Sequence, residues 1–272
     1  MSQKTVLLTG CSGGLGSRTT RYLVEKGWHV CAADFNREEM TKMEGETSIS
    51  TLFIDVTDQA SIDVAQKVVL EQVDGLDGIV NFAGIFTAGS LIEINEDDLF
   101  RVLNVNVMGT YRVNKTFFPL IQKRKGRIVN ISSETGWQSA GPFNGPYAMS
   151  KHAIEAYSDS LRRELMFLDI PVIKIQPGPF QSNMIEDLEA NFSEAALEST
   201  YFKDVLSRLK VLVNEEVNKA NDPVIVAQAV HKALTIPNPK PAYSVMPDRK
   251  RVFMEWLPTG VEDRLLKKVL RG

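Results

Sequence analysis

With 272 residues and a mass of 30.3 kDa, the chain can form one large α/β domain or two small ones. A hydrophobic fraction of 43% and a charged fraction of 24% are ordinary for a soluble globular protein, and a net charge of −3 without a basic tract gives no general pull towards nucleic acid or anionic membranes. No segment reaches the roughly 20 apolar residues of a transmembrane helix, the first apolar run is too short for a signal-peptide core, and Cys11, Cys31 and three scattered histidines suit a metal-free cytoplasmic protein.

Short runs rich in Val and Ile alternate with amphipathic stretches. Residues 5–9, 30–33, 51–54, 78–81, 127–131 and 172–176 are predicted as buried strands. Between them, 15–26, 61–73, 97–122 and 147–168 have helical character. The alternation predicts an α/β fold: a Rossmann-like doubly wound parallel sheet with helices on both faces. No internal repeat or linker interrupts it, so residues 1–272 are expected to form a single domain. Residues 183–220 lose the strand pattern and form a helical insertion, expected to act as a flap over an apolar pocket. A C-terminal extension over 242–272 adds a last strand and an amphipathic helix at 261–270, expected to pack on the core or on another subunit.

The first strand runs into Thr9-Gly10-Cys11-Ser12-Gly13-Gly14-Leu15-Gly16, and a helix follows. Glycines there allow a tight turn and let backbone amides approach a pyrophosphate, while the helix N-terminus supplies unpaired N–H groups. Gly10, Ser12, Gly13, Gly14, Leu15 and Gly16 are therefore candidate cofactor contacts. Asp34 ends the second strand, eighteen residues after Gly16. A carboxylate at this place accepts hydrogen bonds from a ribose and repels a 2′-phosphate, which favours NAD over NADP. Arg37 nearby complicates that preference, and NADP stays possible.

Tyr147 and Lys151 lie four residues apart on a predicted helix, hence on one face. A cation beside a phenol favours phenolate and lowers a pKa that is ~10 in a free tyrosine. Such a pair can exchange a proton with an alcohol or ketone.

Together these motifs resemble the short-chain dehydrogenase/reductase family over about residues 4–182, and the chain's C-terminal portion resembles the hydroxysteroid and retinol dehydrogenase branch. The resemblance implies catalytic roles for Asn106, Ser133, Tyr147 and Lys151. Ser132 and Ser133 both stand near the required distance from Tyr147, and Ser133 is the choice. It also implies adenine contacts at Asp55 and Val56, and a sheet-steadying segment at Asn81, Ala83 and Gly84, where Phe82 replaces an asparagine. Pro177, Gly178, Phe180 and Ser182 would close over a nicotinamide, with Ser182 replacing a threonine. Asn106 would hold a water, and Lys151 would bond the nicotinamide ribose. Substrate contacts are expected from Ser133, Tyr147, Trp137, Phe143 and Met184, and the substrate is expected to be a bulky hydrophobic secondary alcohol or ketone. A homodimer or homotetramer built through the helix at 147–168 is implied as well. A non-catalytic nucleotide-binding regulator, or a dehydratase or epimerase using the same residues, stays open as another class.

Overall fold

Along the first strand, Val6 and Leu8 face one way and Leu7 the other, and all three are fully buried. Such a strand needs cover on both sides. The computed structural model describes residues 3–217 and 220–271 and supplies that cover. Seven parallel strands form one sheet in the order β3-β2-β1-β4-β5-β6-β7. They are β1 (Thr5–Thr9), β2 (His29–Asp34), β3 (Ile49–Phe53), β4 (Gly78–Asn81), β5 (Arg127–Ile131), β6 (Val172–Pro177) and β7 (Ala242–Val245).

Helices α1 (Gly14–Glu25) and α9 (Val224–Thr235) cover one face, where Val6, Leu8, Val80 and Ile175 meet Leu23, Val226 and Val230. The other face carries α3 (Gln59–Gln72), α5 (Thr110–Arg124) and α6 (Gly145–Leu165), whose Ile62, Val69, Phe117, Ile121 and Leu165 pack on Leu7, Ile79 and Ile128. The expected strands and these helices match within a few residues. Short α2 (Arg37–Thr41) follows β2, capped by the side chain of Asn36, which accepts from Glu39 N.

The predicted helix over 97–122 is three segments: α4 (Glu96–Leu103), a π-helical turn (Asn104–Gly109) and α5. Tertiary contacts widen the turn. Arg112 Nη1 donates to Asn104 Oδ1 at 2.9 Å and to the Val56 carbonyl at 3.2 Å. Gly109 sits so close to Val56 that a Cβ there would lie 2.7 Å from Val56 Cγ2.

The insertion forms α7 (Asn183–Glu198) and α8 (Lys203–Val217), and residues 218 and 219 of the expected flap lie outside the described residues. Phe192, Ala196 and Leu206 make a small separate core there, with Phe86, Phe143 and Phe202 packed against it. The C-terminal extension contributes β7, α10 (Arg249–Met254) and α11 (Thr259–Arg271). Arg208 of α8 donates to the Leu270 carbonyl at 3.2 Å, and Leu270 is buried, so the inner face of α11 seats on the flap.

A polar seam crosses the second core. Asn81 Nδ2 donates to Asn114 Oδ1 at 2.8 Å and to Asn130 Oδ1 at 2.9 Å. Asn130 Nδ2 donates to Ser158 Oγ at 2.9 Å, and Asn114 Nδ2 to the Tyr157 hydroxyl at 3.2 Å. These bonds join β4, β5, α5 and α6. An Asn114→Leu substitution strands several partners at roughly 1–3 kcal/mol each, so the urea midpoint is expected to fall with the denaturant slope unchanged.

Candidate active site

The chain leaves β1, builds β2 and β3 on one side, and returns to β4 on the other. A crevice opens beyond the strand ends at such a reversal. Gly10 closes its floor with a φ of +72°, and a Cβ there would lie 2.7 Å from Ala83 N. At Gly16 a Cβ would lie 2.0 Å from the Gly10 carbonyl oxygen, so only glycine lets α1 start this close to β1. Gly13 is the N-cap of α1 and offers no side-chain cap. The first-turn N–H groups of Gly14, Leu15 and Gly16 thus point from a positive helix end into open space, which suits a phosphate.

Asp34 is 6% exposed, and each of its oxygens holds a neighbouring loop. Oδ2 accepts from Ser12 N at 3.0 Å and Oδ1 from Asn36 N at 3.1 Å. A carboxylate oxygen has a further lone pair for a ribose hydroxyl. Arg37 lies over the Phe53 ring, 3.8 Å from its centroid. Asp55 Oδ1 accepts from Thr57 N and Oγ1 at 2.8 and 2.7 Å, which shapes the turn into α3.

Gly10, Gly13 to Gly16, Gly84, Pro177, Gly178, Phe180 and Ser182 line one cavity of about 860 Å³, together with Ser133, Tyr147 and Lys151. Ser12, Asp34, Asp55, Val56, Asn81 and Ala83 lie outside its lining. Of these, Asn81 turns away from the crevice, since its amide belongs to the buried seam.

Tyr147 opens the first turn of α6, and its phenol hydrogen-bonds the Ser133 side chain. Ser133 Oγ also accepts from Thr135 N at 3.2 Å. Ser132 faces elsewhere: its Oγ would meet a Cβ on Gly136 at 2.5 Å. Geometry therefore brings Ser133, not Ser132, to the tyrosine. Lys151 Nζ stands 5.5 Å from the Tyr147 ring centroid and donates to the Ile131 carbonyl at 3.0 Å.

The electrostatics depart from the expectation that lysine depresses the phenol. Burial pushes Tyr147 up to about 12, opposed by the Ser133 hydrogen bond and reinforced by the Glu134 carboxylate. Burial likewise lowers Lys151 to about 8, against the pull of Glu155. Desolvation outweighs the single ammonium at this distance.

The Asn106 side chain is held by protein partners. Nδ2 donates to the Ile85 carbonyl and to Ser150 Oγ, both at 2.9 Å, and Oδ1 accepts from Ile85 N at 2.8 Å. Its side chain is committed to protein partners, so a water would have to meet the main-chain carbonyl, which already accepts from Thr110 Oγ1 at 2.9 Å. Ser150 Oγ passes the connection to the Tyr147 carbonyl at 2.7 Å. Asn106 thus clamps the loop after β4 to the turn that carries the tyrosine.

Met184 lines the cavity as expected of a substrate contact, whereas Trp137 and Phe143 do not. Phe143, at φ +61°, packs on Phe202 of the flap with ring centroids 5.3 Å apart, and Trp137 is 37% exposed. Their place is taken by Phe86, 5.3 Å from the Tyr147 ring, with Leu188 and Phe192 of α7, Leu209 and Val213 of α8, Met254 and Leu266. Phe86 lies two residues after the Asn81–Gly84 segment, so its position near β4 was a usable signal. The C-terminal residues carry no motif. Cys11, within the loop, is buried and pushed up to about 12, which leaves it an inert filler.

A glycine cradle at a sheet reversal and a Ser-Tyr-Lys cluster on the same cavity define a dinucleotide-binding oxidoreductase architecture. Residues 4–192 match the short chain dehydrogenase family, and the chain belongs to it. Human 17-beta-hydroxysteroid dehydrogenase type 6 is 33% identical over 98% of this chain and 89% of its own length. Mouse retinol dehydrogenase 7 is 33% identical over 98% of this chain and 88% of its own. Among solved structures, a short-chain dehydrogenase from Streptomyces avermitilis superposes with a TM-score of 0.77 at 25% identity, covering 99% of this chain and 96% of that one.

Lys151 gives a direct test of the electrostatics. Its value in the folded protein, about 8, lies below the 10.5 of an unperturbed lysine, so between these values the unfolded chain binds a proton that the folded chain does not. The resulting destabilisation is absent above pH 10.5 and complete below about 8. Lys151→Met is therefore expected to gain on the wild type by roughly 3 kcal/mol as the pH falls through that window. Urea unfolding at several pH values measures it, and a constant difference contradicts a depressed lysine.

Proposed function

We propose that the protein is an NAD(H)-dependent oxidoreductase that interconverts a bulky hydrophobic secondary alcohol and its ketone. The observation that carries this reading is the continuity of one cavity, with the cradle at Gly13–Gly16, the Ser133–Tyr147 pair and the apolar wall of Phe86, Phe192 and Leu209 in its lining.

The N–H groups opening α1 would hold the pyrophosphate of the dinucleotide, Asp34 its adenosine ribose and Lys151 its nicotinamide ribose. Bound there, the nicotinamide supplies or accepts the hydride. The protein's own groups handle the proton. Ser133 Oγ accepts from Thr135 N, and its O–H, directed at the Tyr147 oxygen, would turn to donate to the substrate oxygen. Tyr147 gives a proton to a forming alcohol or takes one from a reacting alcohol. Lys151 keeps a cation near the phenol. The apolar wall excludes water.

Asp34 supports NAD over NADP by charge repulsion, and Arg37 is engaged with Phe53. The identity to hydroxysteroid and retinol dehydrogenases supports the substrate class. No described helix is long and apolar enough to cross a membrane; a cytoplasmic location is part of the proposal. So is a homodimer or homotetramer, formed through α5 and α6, where Tyr111 and Met149 are exposed, with Met108 exposed in the turn before α5. A monomer by light scattering removes that part.

Tyr147→Phe is expected to retain NADH binding, followed by fluorescence, while turnover falls at least about a hundredfold. Full turnover in that variant defeats the mechanism. Because the phenol is raised, alcohol oxidation should accelerate with rising pH and ketone reduction should not. A higher kcat/KM with NADPH than with NADH overturns the cofactor assignment, and preference for small polyols over hydroxysteroids overturns the substrate class.

A further inference from the structure

The carboxyl group beside Ser133 has no place in the mechanism above, yet it is buried. Glu134 is 7% exposed and lines the cavity. Its Oε2 accepts from the main-chain N–H of Asp248 at 2.7 Å, and its Oε1 faces Arg251 Nη1 at 3.4 Å. Asp248 is in turn the cap of α10, accepting from Lys250 N at 2.7 Å. A second tie lies a few residues along: Ser139 N donates to Glu255 Oε1 at 2.7 Å, and the Ser139 hydroxyl donates to Oε2 at 3.3 Å. Helix α10 is thus fastened at both ends to the segment that begins at Ser133. Between the ties, Arg251 and Met254 face the cavity.

A buried carboxylate with one short N–H bond, a long guanidinium contact and the Gln138 side chain is only partly compensated. Burial raises the Glu134 pKa; the Asp248 N–H bond, Arg251 and the Gln138 side chain oppose it, and the Asp248 carboxylate adds to it. The charged groups around it are Asp248 and Arg251 of α10 and, on α6, Tyr147 with Lys151 one turn beyond.

We propose, resting on the hydride-transfer reading above, that Glu134 is a positioning residue. It seats α10 as the far wall of the substrate cavity and keeps a negative charge beside the Tyr147 phenol. Substrate selection by a C-terminal segment and proton handling by the central loop then depend on one side chain. The sequence separation is large, 114 residues between Glu134 and Asp248, so the C-terminal extension completes the site from far along the chain.

The full-length protein carrying Glu134→Ala, Glu134→Gln or Arg251→Met tests this. Hydrogen exchange of residues 248–256 needs no substrate, and it should quicken about tenfold in Glu134→Ala and Arg251→Met. Glu134→Gln keeps an acceptor for Asp248 N and should fall between these and the wild type. With hydroxysteroid and cyclohexanol as probes, the ratio of kcat/KM should shift about fivefold against the steroid in Glu134→Ala and Arg251→Met, mainly through KM. The pH limb belonging to Tyr147 should move to lower pH in Glu134→Gln, since the charge opposing phenolate is gone. Unchanged exchange overturns the seating of α10. An unchanged ratio with an unmoved limb, in enzyme that turns over both probes, overturns the coupling to catalysis. If the wild type turns over neither probe, the proposed function fails instead, and exchange still decides the seating.

Discussion

The approach of β1 to β4 at the sheet reversal is the contact on which the rest depends. Backbone meets backbone there, with Gly10 against Ala83 and the start of α1 against Gly10. Side chains at these positions would separate the strand ends, and the crevice between them would lose its floor. The same closeness leaves the N-terminus of α1 without a capping side chain, so its donors stay free for an anion. A packing requirement of the fold thereby creates the binding surface.

Burial governs the chemistry at the other end of the cavity. Tyr147 and Lys151 share a setting that disfavours phenolate and ammonium alike; the Ser133 hydroxyl, donating to the phenol oxygen, and the Glu155 carboxylate offset part of the cost. At neutral pH the phenol keeps its proton. Glu134 adds a negative charge on the same side, with the effect that the site is set further towards proton donation.

What could be read from the chain follows from how local each signal is. Strands and their facing showed in the Val and Ile runs, because a parallel sheet buries both faces. The cradle, Tyr147 and Lys151 showed because each motif is contiguous or one helical turn apart. Asn106 was legible as a site residue but not as a clamp, since its partners Ile85 and Ser150 come from two other segments. The break at Asn104–Gly109 needed the Val56 contact, which no helical periodicity encodes. Trp137 and Phe143 sat at plausible places in the sequence, but Phe143 turned to the aromatic cluster of the flap. The wall supplied by α10 depends on contacts more than a hundred residues apart in sequence, such as Ser139 to Glu255, and α11 on the contact of Arg208 with Leu270, 62 residues on.

The asparagine seam has a consequence beyond stability. Asn81 and Asn130 are register partners across β4 and β5, and their side chains bond each other inside the core. A slip of one residue would throw one amide to the opposite face, against the apolar side chains of the first core. Hydrocarbon neighbours tolerate such sliding more readily, because Val and Ile fit several alignments about equally well. Counting three residues on from each asparagine reaches Gly84 on one strand end and Ser133 on the other. The paired amides therefore act as a ruler, fixing how far each strand end projects and so the level at which Gly84 and Ser133 stand beside each other.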